Sequence, residues 1–99
     1  MHIREFQELI RQLYFSQDSK RGLNKNFLWL IEEIGELASN LKEEELNIEY
    51  LGEEMADIIA WVCTLANLLD IDIETALSQK YPNKCPKCGS NPCICNKNY

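Results

Sequence analysis

Apolar residues recur along most of this chain at the three-to-four-residue spacing of an α-helix. In the first segment Ile3, Phe6, Leu9, Ile10, Leu13 and Tyr14 share one side, while Glu5, Gln7, Arg11 and Gln12 take the others. This predicts an amphipathic helix from His2 to about Ser16. The polar stretch Gln17-Asp18-Ser19-Lys20-Arg21-Gly22 breaks the pattern and reads as a loop carrying a small basic cluster with Lys25. Asn24 is placed to cap a second helix reaching about Lys42, whose apolar arc is Phe27, Leu30, Ile31, Ile34, Leu37, Ala38 and Leu41. Asn47 is placed to cap a third, to about Leu69, with a core face of Leu51, Met55, Ile58, Val62, Leu65 and Leu69. Asp72 opens a short fourth helix from Ile73 to about Tyr81. No segment alternates with the period of a strand, so the expected fold is all-α, an antiparallel helical bundle.

Two acidic clusters interrupt the apolar arcs: Glu32-Glu33-Ile34-Gly35-Glu36 and Glu53-Glu54-Met55-Ala56-Asp57. Each contains two acids three residues apart, Glu33 with Glu36 and Glu54 with Asp57, which a helix projects from nearly the same side. At about 100° per residue, Glu33 and Glu36 border the apolar arc and share a stripe with Trp29 and Asn40. Glu54 falls within the wider arc, between the directions of Leu65 and Trp61, and Asp57 lies at its edge. A single pair of this kind is most simply a solvated face. Two pairs on consecutive helices, both bordering the core, instead need a compensating charge, because converging carboxylates cannot all stay ionised alone. All-oxygen donors point to Mg²⁺ or Mn²⁺. A carboxylate-bridged di-iron centre is set aside, since it needs Glu-x-x-His elements and the sole histidine is His2.

The paired pattern resembles the MazG-like nucleotide pyrophosphohydrolases of the all-α nucleotide pyrophosphatase superfamily. The family's Glu-Glu-x-x-Glu and Glu-x-x-Asp elements correspond here to Glu32-Glu33-x-x-Glu36 and Glu54-x-x-Asp57, and the likeness spans residues 3–82. The resemblance implies subunits that pair, so that helices of two chains complete a four-helix bundle. It also implies Mg²⁺-dependent hydrolysis of a nucleoside triphosphate to the monophosphate and pyrophosphate, by attack of water at the α-phosphorus. Glu33, Glu36, Glu54 and Asp57 are then the expected metal ligands, and Glu32 or Glu53 a base or outer ligand. Trp29 becomes a candidate to stack on the base, and Gln7 and Arg11 to approach it, with packing as the competing role of each. Lys80 and Lys84, near the end of the fourth helix, are candidates to contact phosphates. The alternatives are a metal-dependent nucleotide-binding protein without catalysis, and an interaction module.

Composition narrows the picture. The chain has 99 residues, 45% of them hydrophobic. That suffices for one small core, which homodimerisation or a dimer of dimers would complete. A formal net charge of −6 argues against nucleic acid or an anionic membrane as partner. No apolar run approaches the roughly 20 residues that span a bilayer, and Met1-His2-Ile3-Arg4-Glu5 lacks a signal-like apolar stretch. The expected location is the cytoplasm.

Four of five cysteines crowd the end of the chain: Cys85, Cys88, Cys93 and Cys95. Cys85-Pro86-Lys87-Cys88-Gly89 has zinc-knuckle spacing, and Cys93 with Cys95 can complete a four-thiolate structural Zn²⁺ site. Disulfides are the alternative. Residues 1–82 therefore read as the helical domain and 83–99 as a Cys-rich tail. Lys84, Lys87 and Lys97 would support a nucleic-acid contact there, but interleaved aromatic residues are nearly lacking.

Overall fold

The computed structural model describes residues 1–96; Lys97 lies outside them. Four helices follow one another: α1 (Ile3–Arg21), α2 (Leu23–Leu41), α3 (Ile48–Leu69) and α4 (Ile73–Lys80). The described residues contain no strand. The fold is all-α, with a Cys-rich C-terminal segment. The helix α3 is central and packs on both α2 and α1, while α4 packs on α1. None of the helices is long and apolar enough to cross a membrane.

Local chemistry sets the helix ends. The Asn47 side chain accepts from the Tyr50 backbone N–H at 3.1 Å and starts α3. Asp70 ends α3 in the left-handed region (φ 57°), and Ile71 N–H reaches back to Ala66 O at 2.8 Å, satisfying a terminal carbonyl. Asp72 caps α4 by accepting from Thr75 N–H. Arg4 fastens that cap to the start of α1, bonding Asp72 at 2.8 Å and Glu74 at 2.9 Å. Hydrogen bonding from Arg4, then from Thr75, holds the Asp72 carboxyl well below the usual carboxylate range.

The first helix runs further than its apolar pattern. The segment expected as a loop, 17–21, is the last turn of α1, and α2 begins at Leu23 after the single residue Gly22. The reason is that its polar side chains are paired rather than hydrated. Asp18 is buried, and its carboxylate accepts from Arg21 Nη1 and from Thr64 Oγ1, both at 3.0 Å. Asn26, fully buried, donates to Asp18 O at 2.9 Å and Gly22 O at 2.8 Å. Asn26, rather than Asn24, thus ties the junction. Gly22 sits at φ 89°, where a side chain would be strained.

The core is correspondingly mixed. Ile10, Leu30, Leu51, Cys63 and Ala66 are its buried apolar members. Gln7 and Asn67 knot α1 to α3: Gln7 Nε2 donates to Asn67 Oδ1 (3.0 Å) and Ile71 O (2.7 Å), and Asn67 Nδ2 donates to Gln7 O (3.2 Å). The predicted apolar arcs are only half covered. Phe27, Ile31, Ile34 and Leu41 on α2, and Met55, Val62 and Leu69 on α3, are exposed. Periodicity marks which side of a helix avoids water, and three helices supply partners for only part of that side.

Candidate functional site

The helices α2 and α3, which share the most extensive contact in the chain, bring three acids together. Ligand oxygens of Glu33, Glu36 and Glu54 lie within 4.8 Å of one another. Their depths differ: Glu54 is buried, Glu33 half-buried and Glu36 exposed. The Oε2 atoms of Glu33 and Glu54 are buried with no hydrogen-bond partner, an arrangement costing about 1–3 kcal/mol for each such atom. No ion pair among the described residues involves these acids. Burial first, then hydrogen bonding and charge from Glu54, then the charges of Glu36 and Asp57, push the Glu33 carboxyl up to about 7. Tyr50, one turn before Glu54, has its phenol raised by hydrogen bonding to Glu54 and by that carboxylate's charge. Orphaned, convergent oxygen donors with no cation of the chain's own fit a hard divalent ion.

Asp57 stands apart from this triad. It is exposed and lines the wall of an adjoining cleft of about 510 Å³. Tyr14, Arg21, Trp29, Trp61 and Thr64 share that wall. Trp29 and Trp61 meet edge to face, with centroids 5.5 Å apart and planes at 87°. The Arg21 guanidinium lies 4.2 Å over the Trp29 ring and 5.6 Å from that of Trp61. The cleft is thus aromatic, capped by a cation and bordered by an acid of the second cluster.

The remaining expected site residues fall elsewhere. Glu32 and Glu53 are exposed and belong to neither the triad nor the cleft wall. Gln7 does not face the cleft: its amide is consumed inside the α1–α3 knot, and its Oε1 accepts from Ile73 N–H at 3.0 Å. Arg11 lines a separate depression with Gln7, Asn67 and Asp72, and lies 4.9 Å over the Phe15 ring. Lys80 and Lys84 are exposed. Sequence reasoning placed Arg21 in a basic loop and missed Asp18, Asn26 and Thr64. The signal for Asp18 with Arg21 was a charge pair three apart inside a stretch lacking proline, which a helix would align.

In the tail, four thiols converge within 4.8 Å. Cys85 and Cys95 Sγ are 3.7 Å apart, and Cys88 and Cys93 Sγ are 3.9 Å apart. Sulfurs bonded to one tetrahedral Zn²⁺ at about 2.3 Å stand about 3.8 Å apart, whereas a disulfide needs about 2.05 Å. None of the five cysteines is in a disulfide. Backbone N–H groups point at the sulfurs, from Lys87 to Cys85 and from Ile94 to Cys88, both at 3.4 Å. Such bonds, from Ile94 and Ser90, push the Cys88 thiol down to about 6, and hydrogen bonding from Cys93 first pushes Cys95 up to about 12. Gly89, at φ 73°, lets the chain double back, donating to Cys85 O at 2.8 Å.

An all-α layer with an acidic centre beside an aromatic cleft defines a class of helical proteins equipped for a hard cation. The family model of the MazG nucleotide pyrophosphohydrolase domain matches residues 21–89, and the chain belongs to that family. The match runs from the last residue of α1 through both acidic clusters to Gly89 of the knuckle. The family's members are typically pyrophosphohydrolases that depend on a divalent metal. No curated protein matches the chain.

Proposed function

We propose that the protein is a Mg²⁺-dependent nucleoside triphosphate pyrophosphohydrolase, yielding the monophosphate and pyrophosphate from an NTP or dNTP. The observation that carries this reading is the pair of buried, unpartnered oxygens on Glu33 and Glu54. Glu33, Glu36 and Glu54 would hold the ion, with Asp57 approaching from the cleft. Bound there, Mg²⁺ (or Mn²⁺) supplies charge neutralisation for the phosphates and acidifies water. The chain contributes the rest. Trp29 and Trp61 offer stacking surfaces for the nucleoside, and the helices fix the carboxylates before substrate arrives, so little reorganisation is left for the reaction. In hydrolysis, a water oxygen bonds to the α-phosphorus, the bond from that phosphorus to the oxygen bridging to the β-phosphate breaks, and pyrophosphate departs with that electron pair. A base must take the water's proton. Glu32 and Glu53, next in sequence to Glu33 and Glu54, are the residues to test for it.

The exposed apolar stripes of α2 and α3 support a homodimer, or a dimer of dimers, in which two such layers close over each other. Residues 1–82 would be the hydrolase unit. Residues 83–99 would be a tail ordered by structural Zn²⁺ on Cys85, Cys88, Cys93 and Cys95, a closed site without an open position for substrate. Five cysteines outside any disulfide suit a reducing compartment such as the cytoplasm.

The deciding experiment incubates the metal-stripped protein with each common NTP and dNTP, then adds Mg²⁺. Monophosphate and pyrophosphate in equal amounts are expected. Nucleotide binding with no product would replace hydrolysis by sensing. Persistence of activity in a folded Glu36→Gln variant would remove Glu36 from the ligand set.

A further inference from the structure

The cleft holds one group that the chemistry above does not employ. Arg21 is largely buried and makes both of its hydrogen bonds through Nη1, to Asp18 Oδ1 at 3.0 Å and to Asn26 Oδ1 at 2.8 Å. Asp18 is anchored from α3 by Thr64, and Asn26 belongs to α2. Three helices thus fix one guanidinium, whose central carbon lies 4.2 Å over the Trp29 ring centroid. A guanidinium is a planar fork of five N–H donors. With Nη1 occupied, Nε and Nη2 present two parallel donors along its other edge.

We propose that this edge of Arg21 reads the nucleobase and selects bases with two adjacent acceptors. Guanine offers O6 and N7 in that arrangement, and cytosine O2 and N3. Adenine sets its N6 amino donor beside N1 and N7 and has no two adjacent acceptors, and uracil and thymine alternate acceptor with donor. The inference rests on the nucleotide reading above and names the substrate class of the same site. A base is favoured over a phosphate as the partner because the phosphates belong at the carboxylates, with their cation. The Arg21 end of the site is walled by the indole rings of Trp29 and Trp61, 4.2 and 5.6 Å from the guanidinium. Base stacking on aromatic rings is sequence-tolerant by itself, so discrimination has to come from a fixed polar edge.

The chain contains only two tryptophans, and both line this cleft. Their fluorescence therefore reports its occupancy without turnover. The test titrates GMP, CMP, AMP and UMP into the full chain in EDTA, then compares kcat/KM for GTP, CTP, ATP and UTP in Mg²⁺. GMP and CMP are expected to bind about tenfold or more tightly than AMP and UMP, the discrimination usual for a bidentate arginine. Arg21→Lys keeps the charge but lacks the fork, and should erase the ratio while the protein still melts cooperatively. If the Arg21→Lys substitution unfolds the chain, Thr64→Val, which removes only one bond to Asp18, should reduce the ratio instead. Equal affinity for all four monophosphates, no quenching by any of them, or an equal loss for all four in Arg21→Lys overturns the proposal. Discrimination without hydrolysis would sink the hydrolase reading alone, and hydrolysis without discrimination this inference alone.

Discussion

Glu33 on α2 and Glu54 on α3 bring carboxylate oxygens within 4.8 Å of each other, and each leaves a buried Oε2 with no hydrogen-bond partner. The nearby carboxylate charge and burial both raise the proton affinity of Glu33. Without a cation, the folded protein answers by keeping a proton on Glu33, whose carboxyl is pushed up to about 7.

This gives stability a definite pH dependence. A carboxyl whose pKa is higher in the folded than in the unfolded chain stabilises fully below its unfolded value, about 4.3. That contribution is lost as pH rises through the folded value near 7. Metal-stripped protein should therefore melt a few degrees lower at pH 7.5 than at pH 5.5, equivalent to about 1 kcal/mol after discounting for Glu33's partial exposure. Mg²⁺ at pH 7.5 should restore the difference by replacing the proton. Glu33→Gln should flatten the profile. Asp72, whose carboxyl is depressed, acts in the opposite sense and only in the acid range below about 4, so the two windows separate. Thermal scans in EDTA across this range decide the matter. A profile rising from pH 5.5 to 7.5 would show that the pair is not strained as argued.

Removing one of the two acids should divide stability from activity. Glu54→Gln keeps the shape and deletes the charge, so at pH 7.5 the metal-free variant should be as stable as the parent or slightly more so. Product formation should fall by roughly 100-fold or more, the scale for losing one transition-state-stabilising group. Calorimetry with Mg²⁺ and a pyrophosphate-release assay test both halves together.

Much of this arrangement was readable before the fold was known. The periodicity placed α2, α3 and α4, Asn47 and Asp72 stand at their expected caps, and Glu54 is buried at the angle its position among Leu65 and Trp61 implied. The end of α1 was not readable for a physical reason. Asp18 and Arg21 look like solvent-facing charges until Thr64, 46 residues on, supplies a buried partner. The same limit hid the partners of Gln7, whose competing packing role is the one realised, through Asn67 and Ile71 from α3 and beyond. Local pattern records which side of a helix is apolar, and long-range pairing decides which polar groups join it.

The α1–α2 junction should be correspondingly fragile. Asn26 is fully buried and satisfies carbonyls on both sides of the α1 terminus, at Asp18 and Gly22. Asn26→Ala removes three buried side-chain hydrogen bonds, to the Asp18 and Gly22 carbonyls and from Arg21, and leaves a cavity, at a cost of about 2–4 kcal/mol. Asn24→Ala, on an exposed side chain, should cost within about 0.5 kcal/mol. Urea unfolding of the two variants checks the contrast. Equal effects would return the capping role to Asn24.

The tail offers a chemical readout. In metal-free, reduced protein the Cys88 thiol should ionise near pH 6, because backbone N–H groups of Ile94 and Ser90 stabilise its thiolate, while burial raises the Cys63 thiol. Limited alkylation at pH 6.5, read by peptide mass, should mark Cys88 first and Cys63 last. One equivalent of Zn²⁺ per chain should protect all four tail cysteines together. Protection of only two would exclude the four-thiolate site.

The exposed stripes of α2 and α3 lead to the last expectation. Ile31 and Ile34 on one helix, and Met55 and Val62 on the next, are apolar side chains left in water by a single chain. Covering such a surface returns about 25 cal/mol per Å², so a chain with this small a core gains much by pairing. Light scattering at micromolar concentration should give twice the 11.5 kDa chain mass or a multiple of it. Ile34→Glu would place a charge within the stripe and should shift the distribution to monomer, with a lower melting temperature that no longer depends on protein concentration. Ile34 neighbours Glu33 in sequence, so Val62→Glu on the other helix serves as the control. Dissociation by both, with the Mg²⁺-dependent stabilisation of the metal site retained in the Val62→Glu variant, would separate the subunit contact from the carboxylates. A monomeric parent would leave the stripes unexplained by self-association and refute the dimer.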